Sequence, residues 1–282
     1  MKNVKIFMCT HKPFSFLPPL CIAVQGGAAL RSPVDGTVPD VGEGGSISHK
    51  NPAYCELTVQ YYAWKNEDAD YYGFCHYRRF FGFGAKTKRP YLALGKLSKR
   101  DRERLLGTPE QIRARIDADD LDVITVCPED MGISVRKHYA ASPHQYGEDL
   151  DLFVSLLKER YPHLSRHADE YLAGTKQYFC NMFILRRELF FEYCEHLFPL
   201  LEQFDLQKTI HGDFQADRTD GYLAERFFGI YLAYLKKERT ASILEIPRID
   251  ADCPRKKRIL CRLLPPESRR RHLIKKLKSP FK

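Results

Sequence analysis

The sequence predicts an α/β fold with a largely parallel sheet, and three observations carry that expectation. Apolar runs of strand length, at 4–8, from 71, and at 121–127, 179–185 and 243–246, alternate with stretches of helical periodicity. Strands joined through helices build parallel sheets. Polar or cationic segments follow the runs at 4–8 and 71, and open α/β sheets bind ligands beyond the carboxyl ends of their strands. Finally, 44% hydrophobic and 12% aromatic residues over 282 positions supply a large core. The folded unit spans 1–250, and 251–282 is a basic C-terminal appendage.

Val4–Met8 (VKIFM) reads as the first strand. The loop after it holds Thr10, His11 and Lys12 before Pro13. That is either a nucleotide-binding position or an ordinary turn ended by proline. Residues 14–50 are rich in glycine and proline and read as a long irregular segment. Neither a G-x-G-x-x-G after a strand nor a Walker sequence occurs, so no dinucleotide fingerprint or P-loop is present. Ser48 or Asn51 caps the next helix, with Pro52 in its first turn. Tyr54, Leu57, Tyr61 and Trp64 recur at helical spacing up to Lys65. Glu56 lies off that face and is either a solvated acid or a site carboxylate.

The central stretch runs from Tyr71 to Phe81. It begins as a buried aromatic strand and turns cationic at His76, Arg78 and Arg79. On a continuing strand, His76 and Arg78 would share one face and Arg79 the other. Cations at the end of a buried strand are unfavourable unless they meet an anion. The anion is either a bound diphosphate or acids such as Asp68 and Asp70. Further on come a helix from Pro109 to Asp117, a strand over 121–127 and a helix from about Pro143 to Arg160. A strand at 179–185 contains one polar residue, Asn181, a structural hydrogen-bonder or a ligand contact. A helix over 188–204, a charged loop to Asp220 and a helix over 221–236 carrying Glu225 and Arg226 follow. The last strand is 243–246.

Nine cysteines without a C-x-x-C pair argue against a zinc site and for a reducing, cytoplasmic setting. No apolar stretch approaches the roughly 20 residues a membrane span needs. The net charge of +9 is uneven: Arg255 to Lys282 holds twelve Lys or Arg and one acid, Glu267, and the remainder is slightly acidic. Such a tail suits an anionic membrane surface, a solvated tail or nucleic acid. The near-neutral fold and the absence of a nucleic-acid motif argue against nucleic acid.

Four stretches resemble a bacterial family of capsule, exopolysaccharide and O-antigen biosynthesis domains, often described as glycosyltransferases. They are Phe7–Lys12; Ile47–Asn66 with its Asn51-Pro52-Ala53-Tyr54-Cys55-Glu56-Leu57-Thr58 core; Gly73–Phe81 with Cys75-His76-Tyr77-Arg78-Arg79; and Asn181–Ile184 followed by Gly221–Arg226. Ala53 and Gln60-Tyr61-Tyr62 depart from the family pattern. The resemblance implies a GT-A-like, Rossmann-like nucleotide-sugar fold. It also implies transfer of a sugar, galactofuranose or another hexose, from a UDP-linked donor to a lipid-linked glycan at the inner face of the plasma membrane. A non-catalytic glycan- or nucleotide-sugar-binding component is the alternative.

Such transfer must stabilise a departing diphosphate and take a proton from the acceptor. Asp68-Ala69-Asp70 has the form of a metal-binding Asp-x-Asp but precedes the strand. Arg78, with His76 and Arg79, is expected to replace the metal, since arginine forks match phosphate oxygens. Manganese or magnesium is the alternative. The base candidates are Glu56, Asp70, Asp213 and Glu225, with Glu225 ranked first. Thr10, His11, Lys12, Asn51, Glu56, Asp70, Arg79, Asn181 and Arg226 are expected to hold the donor.

Overall fold

The computed structural model describes residues 2–212, 218–264, 268 and 270. Strand β1 (Val4–Thr10) leads to β2 (Cys21–Gln25) and β3 (Val38–Pro39). Residues 14–50 therefore contain strand structure that the sequence hid, because CIAVQ is short and flanked by proline and glycine. The helix expected to run unbroken to Lys65 is split into α1 (Asn51–Tyr54) and α2 (Leu57–Asn66). The break is Cys55, at φ 50°. Apolar periodicity is blind to a single residue in the left-handed region.

β4 (Tyr71–His76) ends in a tight reversal into β5 (Arg79–Phe81), with His76 opposite Arg79. The expected separation of Arg79 onto another face of one strand fails here, because the chain doubles back over Tyr77-Arg78. β6 (Tyr91–Ala93), α3 (Lys99–Leu106) and α4 (Pro109–Ala118) follow, the last opened by a Thr108–Gln111 capping box. Next come β7 (Val123–Val126), β8 (Glu129–Asp130), α5 (Val135–Ala140), α6 (Gly147–Arg160), α7 (Ser165–Ala173) and β9 (Lys176–Gln177). The chain closes with β10 (Phe183–Arg186), α8 (Arg187–Gln207), α9 (Thr219–Glu238), β11 (Ile243–Ile246), β12 (Arg248–Asp250) and α10 (Arg255–Leu263).

The main sheet runs β11-β7-β10-β4-β1-β2-β3. β1 is parallel to both β2 and β4, and β7 to β11, while β10 is antiparallel to both of its neighbours. The sheet is thus mostly parallel with one reversed strand inserted. Side chains alternate between two cores. Phe7, Val24, Tyr72 and Phe74 pack with α2, α6, α8 and α9, while Ile6, Met8, Ala23 and Cys75 pack with α3 and α4. On the first side α9 comes close to α7 at Gly229, where an added methyl would run into the Tyr171 ring. β12 pairs with β5 and β6, extending the structure beyond the carboxyl end of β4. Among the described residues no helix is long and apolar enough to cross a membrane.

Candidate active site

A cleft of about 890 Å³ opens where β1, β2 and β4 end, within the size range of small-molecule sites. Thr10, His11, Gly26 and His76 reach it from those strand ends, and the reversal adds Tyr77, Arg78 and Arg79. The α1–α2 break brings Asn51, Cys55 and Glu56, and the start of α9 brings Arg218, Tyr222, Glu225 and Arg226. Asp250 to Pro254 and Lys257 form a further lip.

The turn Cys180-Asn181 holds three of these groups. Both residues have positive φ, 76° and 47°, a conformation non-glycine residues adopt only when the surroundings impose it. The strand expected over 179–185 therefore begins only at Phe183, after this turn. The Cys180 amide donates to Glu225 Oε1 at 2.7 Å, and His76 Nε2 lies 2.7 Å from the Cys180 carbonyl oxygen. A carbonyl can only accept, so Nε2 carries the proton. Asn181 Nδ2 donates to Glu56 Oε1 at 2.8 Å and to the Gly221 carbonyl at 3.2 Å. Asn181 is buried and outside the cleft lining, and it orients a carboxylate that lies in that lining, the structural role of the two readings.

The two glutamates differ in how they are held. Glu225 Oε2 pairs with Arg226 Nη1 at 2.8 Å, so both of its oxygens are engaged. Burial raises its pKa, Arg226 opposes that shift, and nearby Glu56 adds to it. Arg226 is itself fully buried, with Gln145 Oε1 at 3.0 Å and the ring of Tyr139 beneath it. Glu56 has one oxygen on Asn181 and, among the described residues, no hydrogen bond on the other.

Cations dominate the cleft. Six Lys or Arg line it against four acids, Glu56, Glu225, Asp250 and Asp252. Partial burial lowers the pKa of His11, and Lys12, Arg31, Arg78 and Arg218 push it the same way. Burial likewise lowers the pKa of His76, with Arg79 adding to the effect. His76 is therefore a neutral hydrogen-bonding group and not the cation its neighbours suggested. The Arg79 guanidinium makes no hydrogen bond or ion pair among the described residues, and Arg78 Nη2 reaches only the Tyr77 hydroxyl, at 2.8 Å. Arg31 Nη1 donates to the Gly26 carbonyl and to Asn51 Oδ1. The thiols of Cys55 and Cys180 are pushed up to about 12 and about 11, chiefly by burial, so neither is a thiolate nucleophile.

Other expected residues take different places. Thr10 is buried and its hydroxyl closes a turn with Lys12, while Asn51 spends its amide on Cys55, Thr58 and Arg31. Both shape the cleft wall. Asp70 stands at the amino end of β4, where it accepts from the Asn3 amide at 2.7 Å, and Asp68 pairs with Arg187. Neither reaches the carboxyl end of the strand, so the Asp-x-Asp sequence is not a cleft ligand set. Among the described residues no group of three or more His, Cys, Asp or Glu is arranged to hold a metal. Asp213 lies outside the described residues.

Sequence reasoning missed Arg31, the Cys180 backbone and the Asp250–Lys257 lip. Arg31 reaches the cleft through the Gly26-Gly27 turn, where Gly27 has φ 70° and a side chain would strike Asn51. Asp40 braces that turn by accepting from the Gly27 and Ala28 amides. The Gly26-Gly27 pair was the available signal. Arg248 holds Asp250 at 2.6 Å and Lys257 reaches it at 2.9 Å, so Asp250 ionises below its usual range although burial opposes this.

Fold and cleft define an α/β protein with a cation-lined site at the carboxyl ends of its parallel strands. Residues 5–238 match the family described as "Domain of unknown function (DUF4422)", and the chain belongs to that family. Among solved structures it is similar to the apo structure of WbbM, a bifunctional glycosyltransferase. The TM-score is 0.81 and the identity 27%, over 88% of this chain. The match covers 45% of the WbbM chain, so this chain spans under half of that protein. The architecture is consistent with a GT-A-like fold. No curated protein matches the chain.

Proposed function

We propose that the chain is a glycosyltransferase that moves a hexose, galactofuranose or another, from a UDP-linked donor to a growing surface polysaccharide carried on a lipid. The observation that carries this reading is the pairing, in one cleft, of incompletely partnered arginines at the strand ends with a carboxylate that keeps one oxygen free. The likeness to a bifunctional glycosyltransferase supports it.

Arg78 and Arg79, with Arg218 from the same cleft, take the diphosphate as charge develops on it. Glu56 accepts the acceptor hydroxyl proton on its free oxygen. The acceptor oxygen then bonds to the anomeric carbon as the bond to the diphosphate breaks, a single displacement that inverts that centre. Glu225, ranked first from the sequence, has both oxygens committed and is better suited to fixing Arg226 and the Cys180 turn. His76 positions that turn. Glu225 and Asp250 already meet protein donors, and the reading assigns the diphosphate to the arginines.

The test is thermal stability against UDP, UDP-hexoses and other nucleotides, with and without manganese. A ligand that binds only the folded state raises Tm by mass action. A UDP-dependent rise without manganese, and transfer that survives chelator, are the expected results. No shift with any nucleotide would overturn the reading. A shift that requires manganese would replace the arginine assignment with a metal-held diphosphate.

A further inference from the structure

α10 has two unlike sides. Its inner side is pinned to the fold: Cys261 is buried with Sγ 3.5 Å from the Tyr91 hydroxyl, Lys257 reaches Asp250, and the Arg258 guanidinium lies over Gly95. On its outer side Ile259 and Leu263, one helical turn apart, are 46% and 73% exposed, with Leu260 at 47% beside them. Arg255 and Arg262 edge this stripe, Lys256 stands at its amino end, and the helix contains no acid. Burying the aliphatic residues and hydrating the cations would have been the ordinary arrangement for a helix facing water. An exposed apolar stripe edged by cations is the pattern of a helix that lies in a membrane interface.

The place of this helix matters as much as its composition. Cys253, Pro254 and Lys257, at its start, line the cleft. We propose that α10 is a membrane seat. Its outer side rests in the headgroup layer of an anionic bilayer and holds the mouth of the cleft at that surface. The aliphatic stripe supplies burial and the flanking cations supply attraction to anionic lipid, the two signals that stable peripheral binding needs. Nucleic acid would use the cations but leave the stripe without a purpose. Presenting a lipid-linked acceptor to the cleft is the one part of this proposal that rests on the transferase reading.

The test uses the full chain and no turnover, so its outcome is independent of that reading. Co-sedimentation is measured with vesicles of phosphatidylglycerol and phosphatidylcholine, and with phosphatidylcholine alone. The wild-type protein should pellet with the anionic vesicles. The Ile259→Ser/Leu263→Ser variant should lose about tenfold or more in partitioning while keeping the wild-type Tm, since both side chains lie outside the core. Absence of wild-type binding to anionic vesicles would overturn the proposal, as would a double variant that binds like wild type. Binding to duplex DNA that is as tight as to vesicles and indifferent to the serine pair would assign the helix to nucleic acid and also overturn it.

Discussion

Glu56→Gln and Glu225→Gln make the same atomic change at two points of one cleft. In Glu56→Gln the amide oxygen still accepts from Asn181 Nδ2, so the one hydrogen bond to this side chain is kept. Stability should change by under about 1 kcal/mol, a shift of about 2–4 °C at most in a chain of this size. What is lost is the ability to take a proton, and kcat should fall by about 10²–10⁴-fold with UDP binding retained. In Glu225→Gln the amide can still accept from the Cys180 amide, but its NH₂ then faces Arg226 Nη1 where an oxygen stood at 2.8 Å. Arg226 is 1% exposed, and its remaining partners, Gln145, the Tyr222 carbonyl and the Tyr139 ring, are uncharged. Breaking one side of a buried pair costs about 3–5 kcal/mol, which corresponds to a fall in Tm of roughly 10 °C. Scanning fluorimetry and steady-state transfer, run on both variants, separate the two roles. If Glu56→Gln keeps nearly full turnover while Glu225→Gln, assayed at a temperature where it is folded, has none, then Glu225 is the base and the argument from free oxygens fails.

Two further outcomes follow from the packing. Asp220 is fully buried beside Lys208, and burial raises its carboxyl to about 7 against the pull of Lys208, with Asp205 reinforcing the rise. The folded chain therefore holds a proton that the unfolded chain releases near pH ~4. Stability from this group is full below that pH and is lost as pH rises through about 7. The Tm of Asp220→Asn minus that of wild type should grow as pH rises across this window; a flat difference in a pH series would show that Lys208 keeps Asp220 ionised. Gly229→Ala places its methyl against the Tyr171 ring between α9 and α7. Overpacking of this kind costs about 1–3 kcal/mol, so a denaturant midpoint equal to wild type would show that the helix pair can spread freely.

The strands that were legible are those whose apolar runs end abruptly, β1, β4, β7 and β11. β2 was not, because its five residues sit between proline and glycine and show no alternation of their own. The resemblance to the capsule and exopolysaccharide family pointed to Glu56, Glu225 and the cationic end of β4, but not to how the glutamates are held. That depends on Cys55, Cys180 and Asn181 adopting positive φ, which residue type does not announce. The Asp68-Ala69-Asp70 sequence shows the converse: a familiar spacing placed by the fold at the wrong end of its strand. Arg31 and the Asp250–Lys257 lip reach the cleft only through tertiary contacts, so no local pattern marks them.

The reversed strand β10 has a consequence for the order in which the molecule can assemble. It pairs Ile184 with Gly73 on one side and with Ile124 on the other. Until residues 183–186 are available, β4 with β1 and β2 forms one patch of sheet, and β7 is joined to it by no backbone ladder. The Cys180-Asn181 turn that gathers Glu56, Glu225 and His76 lies immediately before this strand. Closing the sheet at β10 and fixing the cleft turn before it therefore both need contacts between segments distant in sequence, the kind of contact that slows folding. A nascent or truncated chain that ends before β10 would have the cationic end of β4 but neither carboxylate in place, so the site cannot form ahead of the fold.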